Sequence, residues 1–148
     1  HQIGGLKQFV EVGADILADE YTIAGIKAYS EFADDISKFK FKTVKHEQVI
    51  NNAHYFVLDN LHAKRQGFVY FKDAGIIFQS HFLHIPLDNT IAKVIPNYSR
   101  TFIDFVREKK LNFHRVVGNY RNNNISIDVL NKTYEAHMWK YELIMKRN

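Results

Sequence analysis

The sequence has 148 residues, of which 46% are hydrophobic and 24% charged, and its formal net charge is +4. This length and composition are typical of one globular domain and exclude a disordered or low-complexity chain. The absence of cysteine excludes disulfides, thiolate metal sites and cysteine nucleophiles. The uncharged stretch 74–87 has only 14 residues, which is too short to span a bilayer, so we expect no association with a membrane.

Residues 1–66 are predicted to be mainly helical. Apolar residues recur at helical spacing from Leu6 to Leu17 and again from Ile26 to Ile36, which predicts two helices with a break near 19–22. A third apolar stripe lies between Thr43, a candidate N-cap, and Gly67, a candidate terminator. Its members, at helical spacing, are Val49, Ile50, Ala53, Phe56, Val57 and Leu61.

Residues 67–148 are predicted to be mainly strands, with one helix near 97–110. Two strands, 68–72 and 75–85, are joined by a tight turn, and a loop at 86–96 precedes the helix. Further strands are predicted at 112–117 and 125–129. The last segment fits both a strand and a helix, and its aromatic enrichment favours a strand. We therefore predict a single α+β domain over residues 1–148, in which N-terminal helices pack on a mostly antiparallel β-sheet.

The eight histidines do not form a recognisable metal motif. His46, His54 and His62 recur every eight residues, which on a helix is a rise of about 12 Å and too far for two neighbours to share an ion. His81 and His84 lie three apart on a predicted strand and would face opposite sides of the sheet. Glycine-rich phosphate loops and the serine-hydrolase G-x-S-x-G motif are also absent. We expect neither a metal site nor a cofactor.

Charge is distributed unevenly along the chain. Residues 1–40 contain four Lys against seven Asp and Glu, whereas residues 41–148 contain sixteen Lys and Arg against nine acids. Aromatic residues are interleaved with basic ones between residues 98 and 121. Basic groups neutralise phosphates and aromatic faces stack on unpaired bases. The sequence thus indicates an anionic partner, either RNA or an acidic protein.

The basic, aromatic stretch suggests a nucleic-acid-directed protein, specifically a small metal-independent ribonuclease or toxin-like domain. Cleavage of RNA without a metal needs two proton-transfer groups and a cation that stabilises the phosphorane. Histidine serves the first role near neutral pH. The predicted catalytic residues are His114, His81 and His84, and the predicted substrate-binding residues are Arg115, Tyr120, Arg121 and Lys132.

Two alternatives remain open at this point. The chain could be a non-catalytic binding module for nucleic acid or an acidic protein partner. It could instead be a helix-covered sheet that binds a small apolar ligand, for which 12 Phe and 8 Tyr would be suitable. The sequence indicates neither an oligomeric state nor a cellular compartment.

Overall fold

A computed structural model describes residues 3–59, 64–83, 85–118 and 124–145. The N-terminal part contains α1 (Leu6–Glu11), β1 (Asp15–Ala18), α2 (Glu20–Lys27), two 3₁₀ turns (Ser30–Phe32 and Ile36–Lys38) and β2 (Lys40–Thr43). The elements that follow are β3 (Glu47–Ile50), β4 (Ala53–Leu58), β5 (Gln66–Phe71), β6 (Ile76–Gln79), α3 (Asn97–Glu108), β7 (Arg115–Gly118), β8 (Ile125–Ser126) and α4 (Ile127–Met145). Within the described ranges, no helix combines the length and apolar character that crossing a membrane requires.

Strands β3 to β8 form a six-stranded sheet in sequence order. All neighbours are antiparallel except β6 and β7, which run parallel, with Ile76 opposite Arg115 and Gln79 opposite Gly118. The parallel pair requires the crossover through α3, because parallel strands cannot be joined by a short turn. Strands β1 and β2 form a separate parallel pair. The α+β class with a mostly antiparallel sheet is therefore confirmed, although the helices are not all N-terminal.

The main core lies between one face of the six-stranded sheet and the two later helices. Side chains such as Phe56, Phe68 and Ile77 from the sheet pack against Phe102 of α3 and Leu130 of α4. These alternate along each strand with residues on the opposite face, as the period of two requires. Burial of this apolar surface is the principal stabilising contribution to the fold.

The N-terminal residues form a smaller core of their own and cover part of the opposite face of the large sheet. Val10, Ile16, Ile26, Phe32 and Phe39 are its buried members. We call residues 3–45 the N-terminal unit. Elsewhere this opposite face carries side chains open to solvent, such as Phe71 on β5, which is 41% exposed.

The structure differs from the sequence prediction at the third helix. Residues 47–58 are the hairpin β3–β4, with Ile50 opposite Ala53 and only Asn51 and Asn52 between them. Asn51 has a φ of 54°, a left-handed conformation that asparagine tolerates and that two-residue hairpin loops favour. The apolar residues Val49, Phe56 and Val57 fit a helical spacing, but their β-branched and aromatic side chains also suit a sheet.

The last segment and the N-terminal region also depart from the prediction. Residues 127–145 form α4 rather than a strand, with buried Leu130 and Thr133 three residues apart on the side that faces the core. The N-terminal unit contains β1 between α1 and α2 and β2 after the 3₁₀ turns, so the described part of residues 1–66 is not mainly helical. The assignment of the chain to one domain stays a prediction.

Candidate functional site

The carboxyl ends of several strands meet at one margin of the molecule. The parallel pairs β1–β2 and β6–β7 each end together, and Arg65, directly before β5, lies beside both Asp19 after β1 and Asp59 after β4. We call this margin the carboxyl edge and define it by Asp19, Asp59, Ser80 and Gly118. In open α/β sheets, ligands bind in the crevice outside the carboxyl ends of the parallel strands. The two parallel pairs of this fold, β1–β2 and β6–β7, end at this margin.

Asp19 connects the carboxyl edge to the start of α2. Its Oδ1 accepts hydrogen bonds from the backbone N–H groups of Tyr21, at 3.0 Å, and Thr22, at 3.2 Å. Its Oδ2 accepts a third from the Thr22 hydroxyl at 2.5 Å. Aspartate is a preferred N-cap because its carboxylate satisfies N–H groups that the helix leaves without partners. The carboxylate of Asp19 is therefore held in place by the helix that it caps.

Arg65 and Lys64 tie the N-terminal unit to the six-stranded sheet. Arg65 donates from Nη1 to Asp59, while its Nε lies 3.9 Å from Oδ1 of Asp19. Lys64 places its Nζ 4.9 Å from the centre of the Tyr21 ring, a cation–π contact. The hydrogen bond from Arg65 is the main reason that the pKa of Asp59 lies below its usual range, and the same bond raises the pKa of Arg65.

The ion pair with Arg65 should be visible in the titration of the Asp59 carboxyl group. We expect the carboxyl of Asp59 to titrate below the usual aspartate value, because Arg65 stabilises its ionised form. Since the folded-state pKa is lowered, the pair stabilises the fold above the pKa of unfolded aspartate and this contribution is lost as the pH falls. Carbon-13 NMR of the carboxyl group, recorded across the acid range, measures the midpoint directly.

Substitution Arg65→Gln should move the midpoint of Asp59 upward. Asp88 is the matched control, because hydrogen bonds from Thr90 rather than an arginine lower its pKa. Its midpoint should stay where it is in the Arg65→Gln variant. If the titration midpoint of Asp59 is the same in the Arg65→Gln variant, the ion pair does not form in solution.

A cavity of about 250 Å³ opens between the N-terminal unit and the six-stranded sheet. Most of its wall is apolar and comes from β1, β4, β5 and β6. Polar residues in the lining are Asp19, Thr22, Gln79 and Ser80. A second hollow of about 370 Å³ shares Asp19 with it and contains His46 and Arg65. An apolar space therefore adjoins a charged one at the carboxyl edge.

The turn after β6 brings His81 to the same edge. Oε1 of Gln79 accepts a hydrogen bond from the backbone N–H of Phe82 at 2.6 Å, and the Ser99 hydroxyl donates to the Phe82 carbonyl. The imidazole of His81 is half-buried and meets the ring of Tyr98 edge-on, with centroids 6.3 Å apart. The start of α3 thus supports the turn that carries His81.

The structure does not bring the sequence-predicted site residues together. His81 follows β6 at the carboxyl edge, whereas His114 immediately precedes β7 at the opposite edge, where its N–H donates to Gly75. The four residues of β7 alone span about 13 Å. Arg115 begins β7 beside His114, and Lys132 is exposed on α4. Three further predicted residues lie outside the described part of the chain: His84, Tyr120 and Arg121.

Sequence reasoning missed three residues that shape this edge. Arg65 acts through partners from two distant segments, which no local pattern reveals. Asp19 had a detectable signal, since it directly precedes a helical stripe and an acid is a common N-cap there. Gln79 also had one, because it interrupts the apolar run Ile76–Phe78 at a position that alternation assigns to the core.

The fold is similar to that of several solved structures. A metallo-β-lactamase from Hirschia baltica superposes with a TM-score of 0.58 and 11% identity, over 88% of this chain and 60% of that one. The metallo-β-lactamase FIM-1 from Pseudomonas aeruginosa, in its mono-zinc form, gives a TM-score of 0.60 and 12% identity over 90% and 59%. The chain has a metallo-β-lactamase fold. At this identity the likeness shows the fold alone.

A third match is the chemotaxis sensor ODP, solved as a peroxy diiron species, with a TM-score of 0.55 and 11% identity over 88% of this chain and 62% of that one. The chain thus spans about three-fifths of the length of these metallo-β-lactamase-fold structures. No family model matches the sequence, and no curated protein matches it.

This likeness corrects the functional prediction. A nucleic-acid-directed function, and with it ribonuclease or RNA-binding activity, is wrong, because the matched structures are metallo-β-lactamases and a chemotaxis sensor of the same fold. For the same reason the two alternatives, a non-catalytic binding module and a helix-covered sheet that binds a small apolar ligand, are also wrong. The aromatic members Phe102 and Phe105 of the basic stretch pack in or against the core, where they cannot stack on bases. An acidic protein partner stays a prediction.

The fold raises the question of a metal ion, which the described residues do not accommodate. Across 3–59, 64–83, 85–118 and 124–145, no three His, Cys, Asp or Glu side chains form a group that could hold one. The acids at the carboxyl edge have other partners, since Asp19 caps α2 and Asp59 pairs with Arg65. The described donors therefore do not fit a metal ion, and we derive no step through one.

Proposed function

We propose that this chain is part of a hydrolase with the metallo-β-lactamase fold, and that its substrate binds at the carboxyl edge. The observation that carries the proposal is the likeness to two metallo-β-lactamases over 88–90% of the chain. The position of the cavity supports it, because the space opens where the strands end and polar groups gather. A volume of about 250 Å³ suits a group of a small molecule rather than a macromolecule.

His81 is the proposed proton-transfer residue. Its half-buried ring lies in the turn at the carboxyl edge, against the ring of Tyr98. It directly follows Ser80, which lines the cavity. Histidine exchanges a proton near neutral pH. In hydrolysis of an ester or amide, its imidazole would accept a proton from the attacking water and return it to the leaving group.

The test is an assay of the purified chain with a chromogenic cephalosporin and with 4-nitrophenyl acetate, each with and without added Zn²⁺. We expect turnover of at least one substrate. Substitution His81→Ala should lower the rate about 10²- to 10⁴-fold, the usual contribution of a general acid or base. Circular dichroism should show that the variant keeps the fold.

His54→Ala is the matched control. His54 is also a half-buried histidine, but it lies on β4 next to the ring of Tyr70, away from the carboxyl edge. Its substitution should leave turnover unchanged. If turnover requires zinc and the His81→Ala variant is as active as the wild type, the role of His81 is contradicted. Absence of turnover with every substrate, with or without zinc, would contradict the hydrolase proposal itself.

A further inference from the structure

The buried end of β6 carries a polar residue, Gln79, in an otherwise apolar core. Gln79 is only 1% exposed, and its Nε2 has no hydrogen-bond partner among the described residues. A buried donor without an acceptor destabilises a protein, because it loses its bonds to water and gains none in return. Methionine, with a similar volume, would avoid that loss. The Nε2 group of Gln79 therefore destabilises the fold, and the rest of the side chain has to offset that cost.

The oxygen of the same amide group accepts a hydrogen bond. Oε1 of Gln79 accepts the backbone N–H of Phe82 at 2.6 Å, in a fully buried hydrogen bond. This bond closes the turn that carries Ser80 and His81. A buried backbone N–H needs such a partner, and no other acceptor for it is shown by the described hydrogen bonds.

Gly118 leaves room for this amide on the neighbouring strand. Gln79 lies opposite Gly118 in the parallel pair β6–β7. A Cβ atom at position 118 would stand 2.7 Å from the backbone oxygen of Gln79 and 2.8 Å from its Nε2. The amide is thus held by Phe82 on one side and against the bare backbone of β7 on the other.

We propose that Gln79 is a positioning residue: it fixes the turn 79–82 so that His81 stands at the carboxyl edge. In this role Gln79 acts through the turn. It also lines the cavity, and hydrogen exchange of Phe82 distinguishes the two roles. A residue that leaves a polar group without a partner in an apolar core is expected at a functional site. The proposal rests on the proposed function in so far as His81 transfers a proton, but its structural part can be measured without turnover.

The test uses the variants Gln79→Met and Gln79→Glu. Methionine removes both amide groups, so the N–H of Phe82 loses its acceptor while the partnerless donor disappears, and the melting temperature should change little. We expect amide hydrogen exchange of Phe82 to accelerate at least tenfold and the ring proton signals of His81 to shift. In the hydrolysis assay kcat should fall at least tenfold with little change in KM. Glutamate keeps an acceptor oxygen and should restore slow exchange of Phe82.

Thr133→Val provides the control. The hydroxyl of Thr133, on α4, is the second buried side-chain group without a partner among the described residues, and it makes no hydrogen bond at all. Valine has nearly the same shape, so the melting temperature should rise while Phe82 exchange, the His81 signals and kcat stay unchanged. If Gln79→Met leaves exchange and the His81 signals unchanged, the positioning role is overturned. If the wild type does not hydrolyse any substrate but exchange responds, the positioning of the turn stands and the proposed function fails.

Discussion

Replacing Phe68 with alanine should lower the free energy of unfolding by about 3–5 kcal/mol. Phe68 is 2% exposed on β5, and its ring lies 5.0 Å from that of Phe56 and 5.1 Å from that of Phe102. It therefore joins the central strands to α3, and alanine would leave a cavity that rigid neighbours cannot fill. Urea unfolding followed by circular dichroism measures the loss.

Phe71→Ala is the control for this substitution. Phe71 lies three residues further along the same strand, on the opposite face of the sheet, and 41% of it is exposed. Its replacement should lower the free energy of unfolding by less than about 1 kcal/mol, as is usual for a surface position. Equal losses in the two variants would mean that the apolar core does not lie on the helical side of the sheet.

Gly118→Ala should be the second most damaging change, with a loss of about 1–3 kcal/mol from overpacking. The added methyl group would approach the backbone oxygen of Gln79 to 2.7 Å, and a backbone atom in a paired strand cannot move aside. The same urea experiment measures this effect, and hydrogen exchange of Phe82 would report the displaced amide.

Gly25→Ala separates this steric cost from the general effect of replacing glycine. Gly25 lies inside α2, and a Cβ atom there meets nothing within 4 Å. Alanine should therefore stabilise the protein by about 0.5–1 kcal/mol, because glycine is a poor helix former. If Gly118→Ala were equally harmless, the close approach of β6 and β7 would be refuted.

The sequence predicted those elements whose pattern is local. The alternating apolar residues of β5 and the helical stripe of α3, with Phe102, Ile103 and Val106, lie near their predicted positions. Both patterns follow from the direction of successive side chains along one element. The α+β class followed from counting such elements.

The secondary-structure predictions were wrong where the apolar residues of one stretch fit both the helical and the strand spacing. Val49, Phe56 and Val57 satisfy helical spacing, yet they belong to β3 and β4, and the Asn51–Asn52 turn was the decisive signal. In α4 the aromatic enrichment favoured a strand, whereas the spacing of Leu130 and Thr133 indicated the helix that forms. Propensity is a weak guide when tertiary contacts decide the outcome.

The candidate site was less predictable than the fold because it is assembled from separated segments. His81 was identified as a chemically suitable residue, but its expected partner His114 lies beyond the other end of the strand pair. That outcome depends on the parallel direction of β6 and β7, which residue types alone do not reveal. Likewise, Arg65 meets Asp19 only because β1 and β4 end at the same margin.

The parallel pairing of β6 with β7 also sets the order in which the chain can fold. Strands β3 to β6 are consecutive and antiparallel, so each pairing closes only a short loop. Ile76 and Arg115, in contrast, are paired across almost forty residues of chain, and closing such a loop costs more entropy. Contacts between residues far apart in sequence slow folding. We therefore expect the four-stranded meander to form first, and the turn carrying His81 to acquire its final position only when β7 docks.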